Sequence, residues 1–155
     1  MFYTAALEQK PNPQAGRAIF EKNCATCHKV GDLGINVAPD ISDSRTKTAA
    51  QILLDILEPN RAVDGNYVGY MVATADGKSL TGVISAETSQ SITLKQPGGQ
   101  SVTISRSEIE ELVSTGKSLM PEGLDRLIPP EQMADLVSYI KNWRYLDGRI
   151  PAATK

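Results

Sequence analysis

Hydrophobic residues recur along this chain at two different intervals, one typical of helices and one typical of strands. A spacing of three and four residues predicts a short helix from about Gln14 to Lys22, a second from Thr48 to Glu58 and a third from Pro130 to Tyr145. Thr48 is suited to cap the second helix, and Pro59 ends it because the residue before a proline disfavours helical geometry. Pro130 occupies a favoured first position, and the pair Asp147–Gly148 closes the last helix.

Between about residues 67 and 113 the interval shortens to two, which is the period of half-buried antiparallel strands. Ile92 and Leu94 alternate with polar residues, as do Val102 and Ile104. Four runs, YVGYMVAT, SLTGVIS, QSITLK and SVTIS, are separated by the turn sequences ADGK, AETS and QPGGQ. The run SEIEELV fits either a fifth strand or one helical turn. The segments KVGDLGINVAPDISDS and STGKSLMPEGLDRLIPP have no regular period and are predicted to be irregular.

Length, composition and charge are those of one globular domain. The chain has 155 residues, of which 41% are hydrophobic and 22% charged. We predict a domain over 14–150 with a β segment at about 67–113, an N-terminal extension 1–13 and a C-terminal tail 151–155. The net charge of −2 and the scattered basic residues do not favour nucleic acid. No apolar run approaches the ~20 residues of a membrane span.

The N-terminal stretch MFYTAALEQKPNP lacks the basic region, the long apolar core and the cleavage site of a signal peptide. We therefore expect the chain to be either cytoplasmic or a mature or excised part of an exported protein. Composition does not choose between these two.

The stretch NCATCHKV contains both cysteines and the only histidine of the chain, namely Cys24, Cys27 and His28. Two cysteines three positions apart, followed at once by histidine, form the attachment pattern of a c-type haem. The thiols add to the two vinyl groups of one porphyrin edge, and the next residue then lies under the iron, where it can supply an imidazole nitrogen. With a single histidine, the ligand on the other side of the ring must be another residue type from distant sequence.

Three other interpretations of this motif remain open. A structural zinc site needs four cysteine or histidine ligands, and this chain has three, so a carboxylate would have to supply the remaining ligand. A thioredoxin-like dithiol normally follows a strand, whereas this motif follows a predicted helix. The last interpretation is a chance match in an ordinary domain.

Methionine is the residue type that most often completes histidine-ligated haem in electron-carrying cytochromes c. Of the four methionines, Met1 is terminal. Met71 lies in a strand pattern, where we expect it to pack in the sheet, and Met133 lies on the apolar stripe of the last helix, where we expect it to belong to the core. Met120 lies in the irregular segment KSLMPEGL, where a loop can bring a sulfur to the iron and Pro121 restricts the backbone. We therefore predict Met120 as the second axial ligand. Lysine ligation or an open sixth position is the alternative.

With these parts in place, the sequence resembles the class I cytochrome c superfamily. There a first helix ends at CxxCH, a last helix packs across it, and a middle helix precedes the loop with the axial methionine. The resemblance implies a mainly α cytochrome c fold, three core helices around one covalently attached haem c, with an inserted small antiparallel β-sheet, so α+β overall. It also implies that Gly16 and Phe20 meet the last helix near Leu136, Tyr139 and Ile140.

The resemblance also assigns a role to a proline shortly after the motif, whose carbonyl accepts a hydrogen bond from the ligand histidine and orients its ring. The stretch VAPDIS places Pro39 there. The common glycine before this proline is Ala38 here, so the local turn is expected to differ.

More specifically, the chain is similar to the haem-binding cytochrome c domains of planctomycetes and their relatives. The similarity lies in APDIS, ILLDILEPNRAVDGNYVGY, ATADGKSLTGVIS, SITLKQPGGQSVTISRSEIEEL, SLMPEGL and QMADLVSYI. In that family the domain often ends a longer exported protein that also carries dehydrogenase-like modules. The similarity thus implies haem attachment in the periplasm or otherwise outside the cytoplasm, a dehydrogenase as electron donor, and an excised domain without its signal peptide.

A few further residues could touch the haem, although ordinary packing explains each of them equally well or better. Arg45, and less clearly Arg61, could pair with a haem propionate or be solvated. Trp143 could touch the porphyrin, and Tyr67 and Tyr70 could reach the pocket, but core or strand packing is the simpler expectation. The β segment is expected to cover one side of the haem rather than to dock a partner.

These observations predict a single-haem electron carrier and not an enzyme. Redox partner proteins are implied, a dehydrogenase as donor and an acceptor that the sequence does not name. The alternative from another class is a haem enzyme or a gas or redox sensor with a displaceable distal ligand. The lack of a second histidine or of an acid–base pair near the motif argues against peroxidase chemistry. A haem-free dithiol protein is the remaining hypothesis.

Overall fold

The computed structural model describes residues 7–146, and within this range the chain has an α+β architecture. The helices are α1 Pro13–Asn23, α2 Ala49–Leu57 and α3 Pro130–Asn142. A two-stranded hairpin is formed by β1 Lys29–Val30 and β2 Leu33–Gly34. The larger sheet has the strands β3 Val68–Thr74, β4 Ser79–Glu87, β5 Ser91–Lys95, β6 Ser101–Ser105 and β7 Ile109–Ser118.

The helix boundaries follow from local capping. The Asn12 side chain accepts hydrogen bonds from two backbone N–H groups in the first turn of α1. Thr48 caps α2 as predicted, and Gln51 completes a capping box with it. Helix α3 begins at Pro130 and continues into a single 3-10 turn, Trp143–Tyr145. The predicted closing pair Asp147–Gly148 lies outside the described residues.

Helices α1 and α3 pack in very close contact, as the resemblance implies. A Cβ atom added to Gly16 would lie only 2.0 Å from the Asp135 carbonyl oxygen and 2.8 Å from Tyr139 Cβ. One turn further along α1, Phe20 is fully buried, and its ring centroid lies 5.6 Å from that of Tyr139. Glycine is required at position 16 because a larger residue would push the two helices apart.

Two separate hydrophobic clusters stabilise the described part of the chain. The first joins the three helices; its buried members include Phe20, Ile52, Leu53, Ile56, Met133, Leu136, Val137 and Ile140. The second belongs to the larger sheet, and its fully buried centre consists of Val72, Ile92, Leu94 and Ile104. The expectations of core packing for Met133 and of alternation in β5 and β6 are thereby confirmed.

The larger sheet is antiparallel throughout, in the order β6-β5-β4-β3-β7. Its strands match the four predicted runs, and the ambiguous run SEIEELV contains both predicted features. One 3-10 turn, Arg106–Glu108, leads into a fifth strand that continues to Ser118. The sheet therefore extends five residues beyond the predicted end. The pattern missed these residues because β7 pairs only with β3 and has mostly exposed side chains, so they show no hydrophobic alternation.

Two smaller expectations were wrong. The segment after the CxxCH motif, predicted to be irregular, contains the hairpin of β1 and β2, whose turn uses the positive φ of Gly31. Met71 does not pack in the sheet core, because it lies on the outer face of β3 with 48% of its surface exposed. It pairs there with Thr81 and with the half-exposed Val113. Among residues 7–146, none of the helices has the length and apolarity needed to cross a bilayer.

Candidate functional site

The CxxCH motif forms a tight turn directly after α1. Cys24 is the C-cap of the helix, and its backbone N–H donates to the Phe20 carbonyl oxygen. The backbone N–H groups of Cys27 and His28 both donate to the carbonyl oxygen of Cys24, at 3.1 and 2.9 Å. The turn thus folds back on itself, so the three chemically active side chains lie close together at the end of one rigid helix.

A cavity of about 480 Å³ lies against this turn and is lined by Cys24, Cys27 and His28. Met120, more than 90 positions later in the chain, lines the same cavity, as does Pro39. Most of the lining area is apolar, with Val37, Ile41, Pro59, Val63, Val83, Leu119 and Leu124 among the contributors. Five of the six residues predicted for the site are therefore brought to one cavity, from three distant parts of the sequence.

His28 is oriented by the carbonyl oxygen of Pro39, as the resemblance implies. The distance between His28 Nδ1 and that oxygen is 2.8 Å. A carbonyl oxygen can only accept, so Nδ1 carries the proton and Nε2 keeps its lone pair. Burial lowers the pKa of His28, and the bond to Pro39 offsets part of this. A neutral imidazole with one free nitrogen is the form that binds a metal.

Backbone hydrogen bonds hold the two residues before Pro39 against the CxxCH turn. The Cys27 carbonyl oxygen accepts hydrogen bonds from the backbone N–H groups of Val37 and Ala38, at 2.9 and 2.8 Å. None of the described non-glycine residues has a positive φ, so Ala38 replaces the common glycine without backbone strain. The departure from the family pattern at this position therefore leaves the His28–Pro39 contact intact.

The end of α3 holds the next part of the same segment. The Ser42 carbonyl oxygen accepts from the Trp143 indole N–H at 2.9 Å and from the Arg144 guanidinium at 2.7 Å. The Ser44 hydroxyl donates to the Ile140 carbonyl oxygen in a buried position. Trp143 thus packs against this segment and lines a separate cavity of about 510 Å³ that holds neither cysteine, which agrees with the packing expectation.

The two thiols and their surroundings fit a c-type haem better than zinc. Cys24 and Cys27 are free and half-buried. Burial, and to a smaller extent the neighbouring Cys27, raises the pKa of the Cys24 thiol to about 12. Zinc needs ligands that deprotonate easily, and within residues 7–146 there is no group of three or more histidine, cysteine or acidic residues placed to hold a metal ion. Two thiols, one imidazole and one thioether around an apolar cavity match the ligand chemistry of haem c.

Of the two alternatives for Arg45, a propionate contact or a solvated charge, its position favours the second. Arg45 is exposed, forms a two-pronged hydrogen bond with Asp43 and does not line the cavity. Its proposed contact with a propionate is not supported by this position, because the nearby carboxylate already uses the fork of the guanidinium. Arg61 pairs with Asp55, 3.2 Å away. Lys47, which the sequence analysis did not single out, is the lysine that lines the cavity.

The two tyrosines after α2 have different surroundings. Tyr67 belongs to a 3-10 turn before β3 and lines the cavity, so strand packing was the wrong expectation for it. Tyr70 lies in β3 and packs against the sheet cluster, as expected. No pattern in the sequence distinguishes the two, because both belong to the same hydrophobic run.

The larger sheet forms part of the cavity wall. The turn between β5 and β6 contributes Pro97, and its Gly98 N–H donates to the Thr26 carbonyl oxygen at 2.8 Å. Thr26 lies between the two cysteines, so the sheet contacts the CxxCH turn directly. Val83 of β4 is buried and lines the cavity as well. These contacts favour the covering role that the sequence analysis expected for the β segment.

Comparison with known proteins identifies the family. The family model described as cytochrome C oxidase, cbb3-type, subunit III matches residues 11–140, which is most of the chain and includes every residue of the site. No curated protein matches the sequence significantly. A cytochrome c domain indicates haem-based electron transfer with redox partners, in agreement with the apolar cavity beside the CxxCH turn. The chain therefore belongs to this family of cytochrome c domains and binds covalently attached haem c.

Proposed function

We propose that this domain is a single-haem electron carrier with histidine and methionine as the axial ligands. Cys24 and Cys27 hold the haem by thioether bonds, and His28 and Met120 bind the iron. The observation that carries the proposal is that these four side chains line one apolar cavity although Met120 is distant from the others in sequence. When bound, the haem supplies a one-electron couple between ferric and ferrous iron.

The protein's part in this function is to hold both ligands and to exclude water. The Pro39 carbonyl keeps the His28 proton on Nδ1 and strengthens the donor character of Nε2. The Met120 side chain is half-buried and packs against the helical cluster, so its thioether can remain in a dry position. Two protein ligands leave no open position for a substrate, which favours electron transfer over catalysis.

We assign the propionate contact to Lys47 in place of Arg45. Lys47 lines the cavity, and its ammonium group lies 2.6 Å from an Asp55 carboxylate oxygen, with Arg61 on the other oxygen. A lysine in this position can share its three donors between Asp55 and a propionate. The test is the Lys47→Gln variant, in which we expect a changed reduction potential with unchanged axial ligation.

The wider setting follows from the resemblance of the sequence. We propose a dehydrogenase as the electron donor, as a module of a longer exported parent chain of the planctomycete type, and haem attachment in the periplasm. The five-stranded sheet is then an insertion between the middle helix and the methionine loop. Co-purification of a dehydrogenase module with the full-length gene product, and its reduction of this domain, would test this setting.

The first experiment is to record absorption spectra of the oxidised and reduced protein, produced in a host with haem-attachment machinery. We expect a low-spin c-type spectrum with the weak far-red band that marks sulfur ligation of ferric iron. In Met120→Ala this band should disappear. Met133→Leu is the control, because Met133 is fully buried in the helical cluster and does not line the cavity, so the band should stay unchanged.

Other outcomes would contradict the proposal in distinguishable ways. A high-spin iron that binds carbon monoxide rapidly in the wild-type protein would remove Met120 from the site and favour a haem enzyme or a sensor. Low-spin iron with an unchanged spectrum in Met120→Ala would point to another ligand, such as a lysine. A ratio other than one haem per chain would contradict the single-haem assignment.

A further inference from the structure

Asn60 connects the end of α2 with the loop that carries Met120. Its side-chain carbonyl accepts a hydrogen bond from the Ser118 backbone N–H at 2.9 Å. Its side-chain amide donates to the Glu122 carboxylate at 2.7 Å. Ser118 and Glu122 lie two residues before and two residues after Met120, so one side chain bonds to the loop on both sides of the sulfur.

The two partners together require a side chain that both accepts and donates, as the amide of asparagine does. A backbone N–H can only donate and a carboxylate can only accept, so position 60 must offer one acceptor and one donor. These partners also determine which end of the amide faces which group. Aspartate would offer no donor, and alanine would offer neither. The side chain is thus suited to both partners at once.

Asn60 is itself well anchored, whereas the loop has little regular structure. Pro59 beside it is buried, and a turn closes there through the Arg61 N–H and the Glu58 carbonyl oxygen. Between the end of β7 and the 3-10 turn Leu124–Arg126, the loop contains no helix or strand. Its own contribution includes a hydrogen bond from the Met120 N–H to the Ser118 hydroxyl at 3.1 Å. The two side-chain hydrogen bonds of Asn60 therefore connect an irregular loop to the turn that follows α2.

We propose that Asn60 is a positioning residue that holds the Met120 loop closed and thereby controls how readily the methionine leaves the iron. This inference rests on the proposed function, because it assumes that Met120 is a ligand. Asn60 acts through the loop and does not line the cavity, since the lining passes from Pro59 to Ala62 without it. Its removal should therefore change the stability of the closed loop while the ligand set stays the same.

The measurable consequence is the affinity for an added ligand. Imidazole can bind ferric iron only in the fraction of molecules whose loop is open, so its apparent dissociation constant is the intrinsic one divided by that fraction. Loss of two hydrogen bonds, one of them to a charged group, should raise the open fraction roughly tenfold or more. Asn60→Ala should therefore bind imidazole roughly tenfold more tightly.

The control for Asn60→Ala is Asn142→Ala. The Asn142 side-chain amide donates to the carbonyl oxygen and hydroxyl of Ser138 in the same helix, and Asn142 does not line the cavity. It should leave the imidazole affinity and the far-red band unchanged. Circular dichroism of each variant shows whether the helices persist, so that a general loss of structure is recognised separately.

A reciprocal exchange makes the test independent of general destabilisation. Asn60→Asp keeps the acceptor for Ser118 but places a carboxylate against Glu122, so it should bind imidazole more tightly than wild type. Glu122→Gln alone should be close to wild type, because its amide oxygen still accepts from Asn60. In the double variant the carboxylate at position 60 still accepts from the Ser118 N–H, and the amide at position 122 now donates to that carboxylate. The double variant should therefore return the imidazole affinity towards the wild-type value.

The possible outcomes separate the two proposals. If wild-type protein lacks the far-red band, the assignment of Met120 fails and the inference fails with it. If the band is present but Asn60→Ala and Asn60→Asp bind imidazole as wild type does, the function stands and the role of Asn60 is overturned. Failure of Glu122→Gln to rescue Asn60→Asp would also overturn the inference, since the bond to Glu122 would then be unimportant.

Discussion

Replacement of Gly16 by alanine tests whether close contact between α1 and α3 holds the haem-attachment turn in place. The added methyl carbon would lie 2.0 Å from the Asp135 carbonyl oxygen and 2.8 Å from Tyr139 Cβ. Ordinary contacts of this kind begin at 3.4 Å, so the helices must separate by more than 1 Å at this point. The atom in the way is backbone and cannot rotate aside, so the helix as a whole must move.

The expected cost follows from two opposing effects. Overpacking of a well-packed core costs about 1–3 kcal/mol. Alanine in place of glycine in a helix interior returns about 1 kcal/mol through helix propensity. Because Phe20 packs on Tyr139 one turn away and would lose contact as the helices part, we place the net loss near the upper end, at about 2 kcal/mol.

The assay is thermal or denaturant unfolding of the haem-loaded protein, followed by circular dichroism and by the haem absorption. A loss of about 2 kcal/mol corresponds to a fall in Tm of roughly 4–8 °C for a domain of this size. Gly65→Ala is the matched control, because Gly65 has an ordinary φ and a Cβ there would meet nothing within 4 Å. A Gly16→Ala protein as stable as the wild type, or more stable, would refute the close packing of the two helices.

Two further predictions concern the sheet turn and the surface charge near α3. Gly98→Ala and Gly77→Ala place alanine at similar positive φ values, 90° and 85°, with open space around the new carbon. Both variants should lose similar stability. Only Gly98→Ala should lower the reduction potential of the haem, because Gly98 bonds to Thr26 of the CxxCH turn. Equal potentials in the two variants would contradict the prediction that the sheet covers one side of the haem. The hydrogen bonds from Arg45 lower the pKa of Asp43 to about 2. The stabilisation that the ionised Asp43 gives to the folded state is complete above pH 3.8, the ordinary pKa, and should disappear as the pH falls towards 2. An NMR titration should show this midpoint, and Arg45→Ala should raise it.

The helices and the attachment motif could be predicted because their signals are local. Thr48, the apolar stripe of α2 and Pro130 each determine helix geometry within a few residues. Strand β7 was predicted too short, because its last residues are held by pairing with β3 and not by their own hydrophobic pattern. The expectation that Met71 packs in the sheet was wrong for a related reason. The sequence of a strand does not show which of its two faces will be buried, because burial depends on what packs against the sheet.

The residues around the candidate site divide in the same way. The charge of Arg45 and its position near the motif suggested a contact with a haem propionate, but its guanidinium donates to both carboxylate oxygens of Asp43 instead. Lys47 and Asn60 belong to no motif that would mark them in the sequence. Only their partners, Asp55 for the lysine and Glu122 for the asparagine, give them a place beside the cavity or its loop.

The sequence by itself determined the covalent chemistry of this protein. The spacing of Cys24, Cys27 and His28 matches one edge of a porphyrin, and such a match depends on neighbouring residues alone. The tertiary structure decided which distant groups surround that chemistry: Met120 in the lining of the same cavity and the sheet turn at Gly98 against the CxxCH segment. The physical reason is that contacts between distant residues depend on the packing of whole helices and sheets, which no short stretch of sequence encodes.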